Sequence, residues 1–354
     1  MQHLKIVELA SVLAGPAVGM FFAELGAEVI KIEHKATGGD MTRKWRLPNE
    51  PRDTPYSAYY ASINYGKTPL LLDLYDRTDQ QIAFEYLRDA DVVISNFKAS
   101  SAREMGMDAA TIHGYNPRAI YAQLNAFDDD PDRPAFDVVL QAEAGFLYMN
   151  GEPNRPPVKM PVALIDILAA HQLKEGILVA LLQRERTGKG CIVTTSLLRA
   201  AVASLANQAA NWLMCGHIPQ PIGTKHPNIA PYGDVFACAD NRDIVLAVGT
   251  DRQFQSLCDA IGLPELAQNV LFSTNPSRVE NRSDLNAALQ TAIMGFDRDN
   301  LLSSLVTQRV PAGSIRDMRE VFEQPAAQQM ILNYTLPDGT AATCVRTVAF
   351  DIAG

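Results

Sequence analysis

A single carboxylate stands out in this sequence because an apolar run surrounds it. Asp166 lies between residues 162–165 and 167–170, none of which carries a charge. An ionised carboxylate that leaves water costs several kcal/mol unless a partner compensates it. Asp166 could cap the helix that the sequence predicts up to about residue 185, or it could be a nucleophile or general base at the start of that helix. The local sequence by itself favours the cap.

Short apolar segments alternate with helical patterns before and after this point. Apolar runs predict buried strands at residues 4–10, 27–33, 68–74, 91–96 and 118–124. Strands that alternate with helices indicate an α/β fold with a doubly wound, mostly parallel sheet of the Rossmann-like kind. The glycines of the opening βαβ unit do not form G-x-G-x-x-G, so a dinucleotide-dependent dehydrogenase has weak support. Single helices are predicted over residues 136–148 and 197–214.

In doubly wound sheets, ligands bind beyond the carboxyl ends of the strands. The residues at those ends here are 11–16, His34, Lys35, Tyr75 and 96–98. We therefore expect these residues to lie along one edge of the sheet, although they are far apart in the sequence.

The composition changes at residue 216. Residues 216–231 are dense in proline and glycine and are typical of a linker. We therefore predict a large Rossmann-like domain over residues 1–215 and a smaller α+β domain over residues 232–325, with a hairpin at 234–248. The tail, residues 326–354, is strand-like and is expected to rejoin the large domain.

Charge and cysteine usage exclude several kinds of partner. A net charge of −9 and a pI near 5.2 argue against nucleic acid. The five cysteines never form C-x-x-C and no histidines are spaced as H-x-x-x-H, which indicates a cytoplasmic protein with reduced thiols and no metal site. No apolar run reaches the ~20 residues that a membrane span needs, so no membrane partner is expected.

Several short motifs follow one another in a recognisable order. Ala14-Gly15-Pro16 is followed by LGAEVIKIE at residues 25–33 and by GDMTR at residues 39–43. DVVISNF then lies at residues 91–97, Phe136-Asp137 after it, and RERTGKG at residues 184–190. No single motif is diagnostic. The ordered series resembles family III CoA-transferases, the group of formyl-CoA and carnitine CoA-transferases, over the chain up to about residue 325.

The resemblance implies an enzyme that moves CoA from an acyl-CoA thioester to a small free carboxylic acid. In that family the aspartate at the position of Asp166 is the nucleophile, which reverses the local preference for a cap. The resemblance implies a mixed anhydride on Asp166, then an aspartyl-CoA thioester, then a second anhydride with the acceptor acid. CoA is expected as a substrate, with no tightly bound cofactor. The chain is expected to form an interlocked homodimer.

The resemblance also implies positions for the CoA site. The matching residues are Leu13, Ala14, His34, Leu72, Asp73, Leu74, Tyr75, Asn96, Phe97, Lys98 and, one residue from its usual place, Arg103. Asp137 matches a second active-site acid. An acidic protein must concentrate positive charge locally to hold CoA, so we add Lys35, Arg43 and Lys67 as electrostatic candidates for phosphate contacts.

Two other functions stay open beside CoA transfer. The α-methylacyl-CoA racemases of the same superfamily have a histidine directly before the aspartate at Asp137, whereas this chain has Phe136, which cannot exchange protons. A CoA-binding homologue without activity is the second alternative, because an acidic loop at residues 127–131 replaces the family's glycine-rich segment after Leu124.

Overall fold

The computed structural model describes residues 1–130 and 132–353 and contains two compact units. The first unit consists of Met1–Phe146, Lys159–Ile218 and Ala326–Gly354, and the second of Leu147–Val158 and Pro219–Pro325. The division drawn from the sequence did not assign residues 147–158 to a second unit, and it treated residues 219–231 as a linker. Pro131, in the acidic loop noted above, lies outside the described residues.

The elements are numbered along the chain. The strands are β1 (Lys5–Leu9), β2 (Glu28–His34), β3 (Lys67–Leu72), β4 (Val92–Ser95), β5 (Ile120–Asn125), β6 (Cys191–Ser196), β7 (Tyr232–Ala237), β8 (Asp243–Ala247), β9 (Ala312–Ser314), β10 (Ile331–Thr335) and β11 (Ala341–Val345). The helices are α1 (Ala14–Glu24), α2 (Ala58–Ala61), α3 (Arg77–Arg88), α4 (Ala99–Glu104), α5 (Ala109–Tyr115), α6 (Asp137–Glu143), α7 (Phe146–Met149), α8 (Leu164–Thr187), α9 (Leu197–Ala203), α10 (Ala206–Cys215), α11 (Asp251–Ala260), α12 (Pro264–Gln268), α13 (Asn275–Glu280), α14 (Arg282–Ile293), α15 (Arg298–Thr307), α16 (Met318–Phe322) and α17 (Pro325–Gln328). Two short 3-10 helices, Lys35–Thr37 and Met41–Lys44, follow β2. Within the described ranges, no helix has both the length and the apolar character of a membrane span.

Six strands of the first unit form one parallel sheet, in the order β3-β2-β1-β4-β5-β6. The predicted α/β fold with a parallel central sheet is therefore confirmed. The chain builds one half of the sheet from β1 to β3 and then returns to add β4 on the other side of β1. This reversal places a switch point between β1 and β4, and the crevice beyond the carboxyl ends of such strands is the usual ligand site of doubly wound folds.

Alternate residues of the strands enter two apolar cores, one on each face of the sheet. Ile6 of β1 belongs to the core that contains Phe22 of α1 and Ile177 of α8. Its neighbour Val7 belongs to the core that contains Leu87 of α3. Successive side chains of a strand point to opposite faces, so a sheet covered by helices on both faces needs nearly continuous apolar strands. This requirement explains why the apolar runs predicted the strands.

The longest helix, α8, is fixed closely to the sheet. Gly176 faces Val193 of β6, and a Cβ at this glycine would lie 2.6 Å from the Val193 Cγ1 atom. The helix ends at Thr187 and is capped by Gly188, whose φ of 70° is the left-handed conformation that commonly terminates helices. Close packing along α8 therefore fixes the position of its first turn, which carries Asp166.

Two helices that were predicted as continuous are interrupted, so those two predictions are wrong. Residues 136–148 form α6 and α7, which are separated by Gly145 with a φ of 82°. Residues 197–214 form α9 and most of α10, and Ala206, the first residue of α10, has a φ of 47°. A left-handed residue changes the direction of the chain and ends the regular hydrogen-bond pattern of a helix.

The strands β10 and β11 form an antiparallel hairpin in the first unit. Leu332 and Cys344 of this hairpin pack against Met20 of α1. The Tyr334 hydroxyl donates a hydrogen bond to the Ala61 carbonyl oxygen at 2.7 Å. The C-terminal hairpin thus supports α1 and α2.

The second unit contains the antiparallel sheet β7-β8-β9, and the predicted hairpin corresponds to β7 and β8. Its helices bury Arg278, which donates hydrogen bonds to the carbonyl oxygens of Ala230 and Phe272 at 2.8 and 3.0 Å. The same guanidinium pairs with Asp251 at 2.7 Å. These bonds satisfy a charge that is fully buried, as an interior position requires.

Candidate active site

Asp166 lies in the first turn of α8, but it does not cap the helix. The N-cap residue is Ala163, whose side chain makes no hydrogen bond to the backbone N–H groups of the first turn. Asp166 is 7% exposed. Within residues 1–130 and 132–353, no group donates a hydrogen bond to its carboxylate. The interpretation of Asp166 as a cap, which the local sequence favoured, therefore has no support in the structure.

The cap comes from Asp137 on another helix. Its Oδ1 atom accepts hydrogen bonds from the backbone N–H groups of Ile165 at 2.7 Å and Asp166 at 3.4 Å. Its Oδ2 atom accepts from the Gln141 side-chain Nε2 group at 2.6 Å, and the Gln141 Oε1 atom accepts from the Met160 N–H at 2.9 Å. Both carboxylate oxygens of Asp137 are occupied by these bonds. These contacts are those of a residue that positions Asp166, and the catalytic role expected for Asp137 stays a prediction.

The surroundings of Asp166 favour its neutral form. Burial raises the pKa of Asp166 to about 7, and the negative charge of Asp137 contributes to this rise. Burial also raises the pKa of Tyr59 to about 12, with a contribution from the charge of Asp166. Trp45 packs between Tyr59 and Phe136, with ring centroids 5.1 and 6.2 Å away. The carboxylate thus lies in an aromatic, poorly solvated environment.

Asp166 lines a cavity of about 340 Å³ beyond the carboxyl ends of β1, β4 and β5. The turn after β1 contributes Leu13 and Ala14 to its wall. The segment after β4 contributes Asn96, Phe97 and Lys98. Lys98 brings positive charge to the same cavity, and Arg133, which also lines it, is paired with Glu143. The cavity can therefore present an anionic or acyl group to a buried carboxylate.

A second cavity of about 350 Å³ lies beyond the ends of β2 and β3, and His34 and Tyr75 line it. Ser11 and Phe97 line both cavities. The Asn96 side chain fixes this shared wall, because its Oδ1 atom accepts from the Ser11 N–H at 3.2 Å and its Nδ2 atom donates to the Ser11 carbonyl oxygen at 3.0 Å. The two cavities thus adjoin at the switch point of the sheet.

The sequence model of CoA-transferase family III matches residues 1–353. The chain belongs to CoA-transferase family III. It is 35% identical over 352 residues to the succinate–glutarate CoA-transferase of Agrobacterium fabrum, which covers 97% of this chain and 87% of that protein. It is 34% identical over 335 residues to the acetyl-CoA:oxalate CoA-transferase of Acetobacter aceti, covering 93% of this chain and 84% of that relative. The predicted family and the predicted enzyme class are confirmed.

A solved structure gives the same result for the fold of this family III CoA-transferase. The crystal structure of a CAIB/BAIF family protein from Brucella suis superposes with a TM-score of 0.86 at 36% identity. The match covers 99% of this chain and 92% of the other.

Most of the residues that the sequence suggested for this CoA-transferase come together at the two cavities. Leu13, Ala14, Asn96, Phe97, Lys98 and Asp166 line the first cavity, and His34, Leu72, Leu74, Tyr75 and Phe97 line the second. Six candidates line neither cavity: Asp137, Arg43 and Lys67, which make buried hydrogen bonds or ion pairs, and Asp73, Lys35 and Arg103. Asp73 accepts a hydrogen bond from the Tyr75 N–H at 3.0 Å, exposed Lys35 pairs with Asp79 at 3.3 Å, and Arg103 is exposed on α4.

The prediction that Arg43 and Lys67 contact phosphates conflicts with the structure. Arg43 pairs with Glu33 at 2.7 Å and is 8% exposed. The Lys67 ammonium lies 2.8 Å from the Glu8 carboxylate, and its side chain is 1% exposed. A buried ion pair is strongly destabilised when one partner leaves, so neither charge is available to a phosphate. Sequence could not distinguish these lysine and arginine side chains from exposed ones.

The structure adds residues that the sequence had not suggested for the site. Tyr59 is close enough to Asp166 for the charge of that carboxylate to affect its pKa, Trp45 packs against Tyr59, and Arg133 lines the cavity of Asp166. Their sequence neighbourhoods carried no periodic or motif signal that would have selected them. Across the described ranges of the chain, no cluster of three His, Cys, Asp or Glu side chains is arranged to hold a metal ion.

Proposed function

We propose that this family III CoA-transferase moves CoA from an acyl-CoA thioester to a free carboxylic acid, with Asp166 as the nucleophile. The observation that carries the proposal is the state of this carboxylate. It is 7% exposed and lines the first cavity. The cap of its helix is Asp137, so the Asp166 carboxylate is not used as a cap. A buried carboxylate with a raised pKa, facing a cavity, is a typical catalytic arrangement.

The reaction follows from the chemistry of a carboxylate nucleophile. Asp166 attacks the acyl carbonyl, the C–S bond breaks, and CoA thiolate leaves behind a mixed anhydride. The thiolate attacks the aspartyl carbonyl, which releases the donor acid and leaves an aspartyl-CoA thioester. The acceptor carboxylate then displaces the thiolate to give a second anhydride, and attack of the thiolate on the acceptor carbonyl yields the new acyl-CoA and restores Asp166. Poor solvation of the cavity protects both anhydrides from hydrolysis.

The two adjoining cavities support a path for the CoA molecule. We assign the nucleotide end to the second cavity, beside His34 and Tyr75, and the thioester end to the first cavity, beside Asp166. The chain of CoA would pass Ser11 and Phe97, which line both cavities. Lys98 is the exposed cation that we assign to the anionic part of the ligand.

The names of the relatives suggest a class of acid. They act on succinate and glutarate, or on oxalate, all of which carry two carboxylates. Lys98 and Arg133 both line the cavity of Asp166, but Arg133 is paired with Glu143, so Lys98 is the cation that we assign to the second carboxylate. We therefore propose a small dicarboxylic acid as donor or acceptor, because such an acid leaves one carboxylate to be neutralised when the other reacts.

Phe136 favours transfer over racemisation. This residue lines the cavity of Asp166 directly before Asp137, at the position that carries a histidine in the racemases. A phenyl ring cannot accept or donate the proton that racemisation moves. A CoA-binding homologue without activity would bind CoA but give no turnover.

We also propose that the chain forms the homodimer that the family resemblance implies. Helix α10 contains no buried residue, and Trp212, Leu213 and Met214 are 53%, 79% and 83% exposed. Such a contiguous apolar surface is unusual on a monomer and is expected to be covered by a second copy. Interlocking of the two copies and a cytoplasmic location stay predictions.

The decisive experiment combines turnover with trapping. The protein is incubated with a panel of acyl-CoAs and free mono- and dicarboxylic acids, and the CoA products are identified by mass. Hydroxylamine added with an acyl-CoA should convert Asp166 to a hydroxamate, which peptide mass spectrometry locates. The control is Asp166→Asn, in which the amide is far less nucleophilic. A hydroxamate on Asp137 or Glu143 would place the chemistry on another carboxylate.

A further inference from the structure

The turn between β1 and α1 contains a residue in an unfavourable backbone conformation. Val12 has a φ of 74°, in the left-handed region. A β-branched residue adopts this region rarely, because its Cβ atom crowds the backbone. Such a conformation persists only where surrounding contacts hold it. The contacts of Val12 therefore indicate what the turn requires.

A buried ion pair holds the backbone on both sides of this turn. The Asp40 Oδ2 atom accepts a hydrogen bond from the Val12 N–H at 3.2 Å. Lys31 lies 3.1 Å from the same carboxylate oxygen and donates to the Ala10 carbonyl oxygen at 2.6 Å. The two side chains are 0% and 1% exposed, so water does not compete for these bonds. The pair thus connects the end of β1 to the residue in the left-handed conformation.

The remaining groups of Asp40 are also engaged. Its Oδ1 atom accepts from the N–H and the hydroxyl of Thr42 at 3.0 and 2.8 Å, and its own N–H donates to Glu33 at 2.8 Å. Asp40 and Thr42 belong to the GDMTR motif at residues 39–43, to which the proposed mechanism gives no role. The network joins this motif to the turn after β1.

The turn itself lines the cavity of the nucleophile. Val12, Leu13 and Ala14 form part of the wall of the cavity that contains Asp166, and α1 begins at Ala14. The backbone direction at Val12 therefore decides how the first residues of α1 face the reacting groups. We propose that Asp40 is a positioning residue for CoA transfer, which with Lys31 holds Val12 in its left-handed conformation and so fixes the wall beside Asp166. This inference rests on the proposed function of Asp166.

The variant Asp40→Asn tests the proposal. Both carboxylate oxygens accept hydrogen bonds, whereas an amide has one oxygen. The NH₂ group of the new amide would be a donor placed against other donors: either the N–H and hydroxyl of Thr42, or the Val12 N–H and the Lys31 ammonium. We expect kcat to fall about 10- to 100-fold, because a small displacement of a catalytic wall has effects of that size. Adding Val12→Gly should restore most of the lost kcat, since glycine adopts a positive φ without strain.

A matched control separates this effect from general weakening of the loop. Thr42→Val removes the hydroxyl bond to Asp40 but leaves the bond between Asp40 and Val12, and its kcat should stay within about twofold of wild type. A kcat for Asp40→Asn within about twofold of wild type, or a loss that Val12→Gly does not relieve, overturns the proposal.

Two further comparisons keep the test decisive. If Asp40→Asn alone does not fold, the double variant is compared with Val12→Gly alone: equal kcat values support the proposal, and a roughly tenfold lower kcat in the double variant overturns it. If wild-type protein shows neither transfer nor a hydroxamate at Asp166, the proposed function fails and this role of Asp40 fails with it. An active wild type with an unaffected Asp40→Asn variant refutes the positioning role alone.

Discussion

Replacing Asp166 by asparagine should stabilise the folded protein at neutral and alkaline pH while it removes CoA transfer. The reason is the burial of Asp166, which raises the pKa of its carboxyl group from 3.8 to about 7. The folded protein therefore binds the proton of Asp166 more tightly than the unfolded chain does. As the pH rises through this interval, the wild type loses stability because a buried group must ionise. Asparagine does not ionise, so the variant is spared this loss.

The magnitude follows from the shift. One pKa unit corresponds to about 1.36 kcal/mol, so the ionised carboxylate of Asp166 destabilises the fold by at most about 4 kcal/mol above pH 7. The penalty vanishes below about pH 4, where the carboxyl is protonated in both states. In the variant, the amide N–H groups of asparagine are buried without partners, which lowers the free energy of unfolding by roughly 1–3 kcal/mol at every pH. The difference in stability between variant and wild type should therefore increase from about pH 4 to about pH 8.

The measurement is scanning calorimetry of both proteins at equal concentration across this pH range. Asp137→Asn provides a matched control, because it makes the same chemical change on the neighbouring carboxylate. Both oxygens of Asp137 accept hydrogen bonds from Ile165, Asp166 and Gln141, and an amide must place its NH₂ group against a donor. That control should melt below wild type throughout the range.

Two outcomes would refute the reasoning. If the difference in melting temperature between Asp166→Asn and wild type does not change with pH, Asp166 is not a buried group with a raised pKa. If Asp166→Asn retains full transfer activity, the nucleophile is another residue.

Three further predictions follow from the same geometry. The value of kcat/KM should fall below about pH 7, where Asp166 becomes protonated. In Asp137→Asn this fall should occur at lower pH, because the loss of a neighbouring negative charge lowers the pKa of Asp166. Identical pH profiles in both proteins would contradict this. Lys98→Glu should weaken CoA binding about tenfold or more in calorimetry through the loss of a charge-assisted contact, whereas Lys189→Glu, exposed after the far end of α8, should leave binding unchanged. Sedimentation should show a dimer at micromolar concentration that Leu213→Glu weakens, since a charge would enter an apolar interface, and a folded wild-type monomer would exclude the proposed dimer.

The sequence alone determined the class of fold and grouped most of the candidate site residues at one edge of the sheet. Strands buried on both faces must be almost entirely apolar, so runs such as the one around Val92 predicted β4 without knowledge of its neighbours. Parallel strands end at one edge of the sheet, so residues such as His34 and Asn96 could be grouped although they are far apart in the chain. The choice of Asp166 as nucleophile came from the family resemblance, because the local residues favoured a cap.

The tertiary structure decided which partner each polar group has. Asp137 and Ile165 are 28 positions apart, and only the packing of α6 beside α8 shows that the first caps the helix containing the second. Lys67 carries the positive charge that a phosphate contact needs, but the fold buries its side chain against Glu8. Apolar burial depends on a pattern that repeats along the local chain, whereas a hydrogen bond or ion pair depends on two atoms that distant segments bring within about 3 Å. For that reason the strands and the edge where they end were predictable from the sequence, and the hydrogen-bond partners of Asp166 and Asp137 were not.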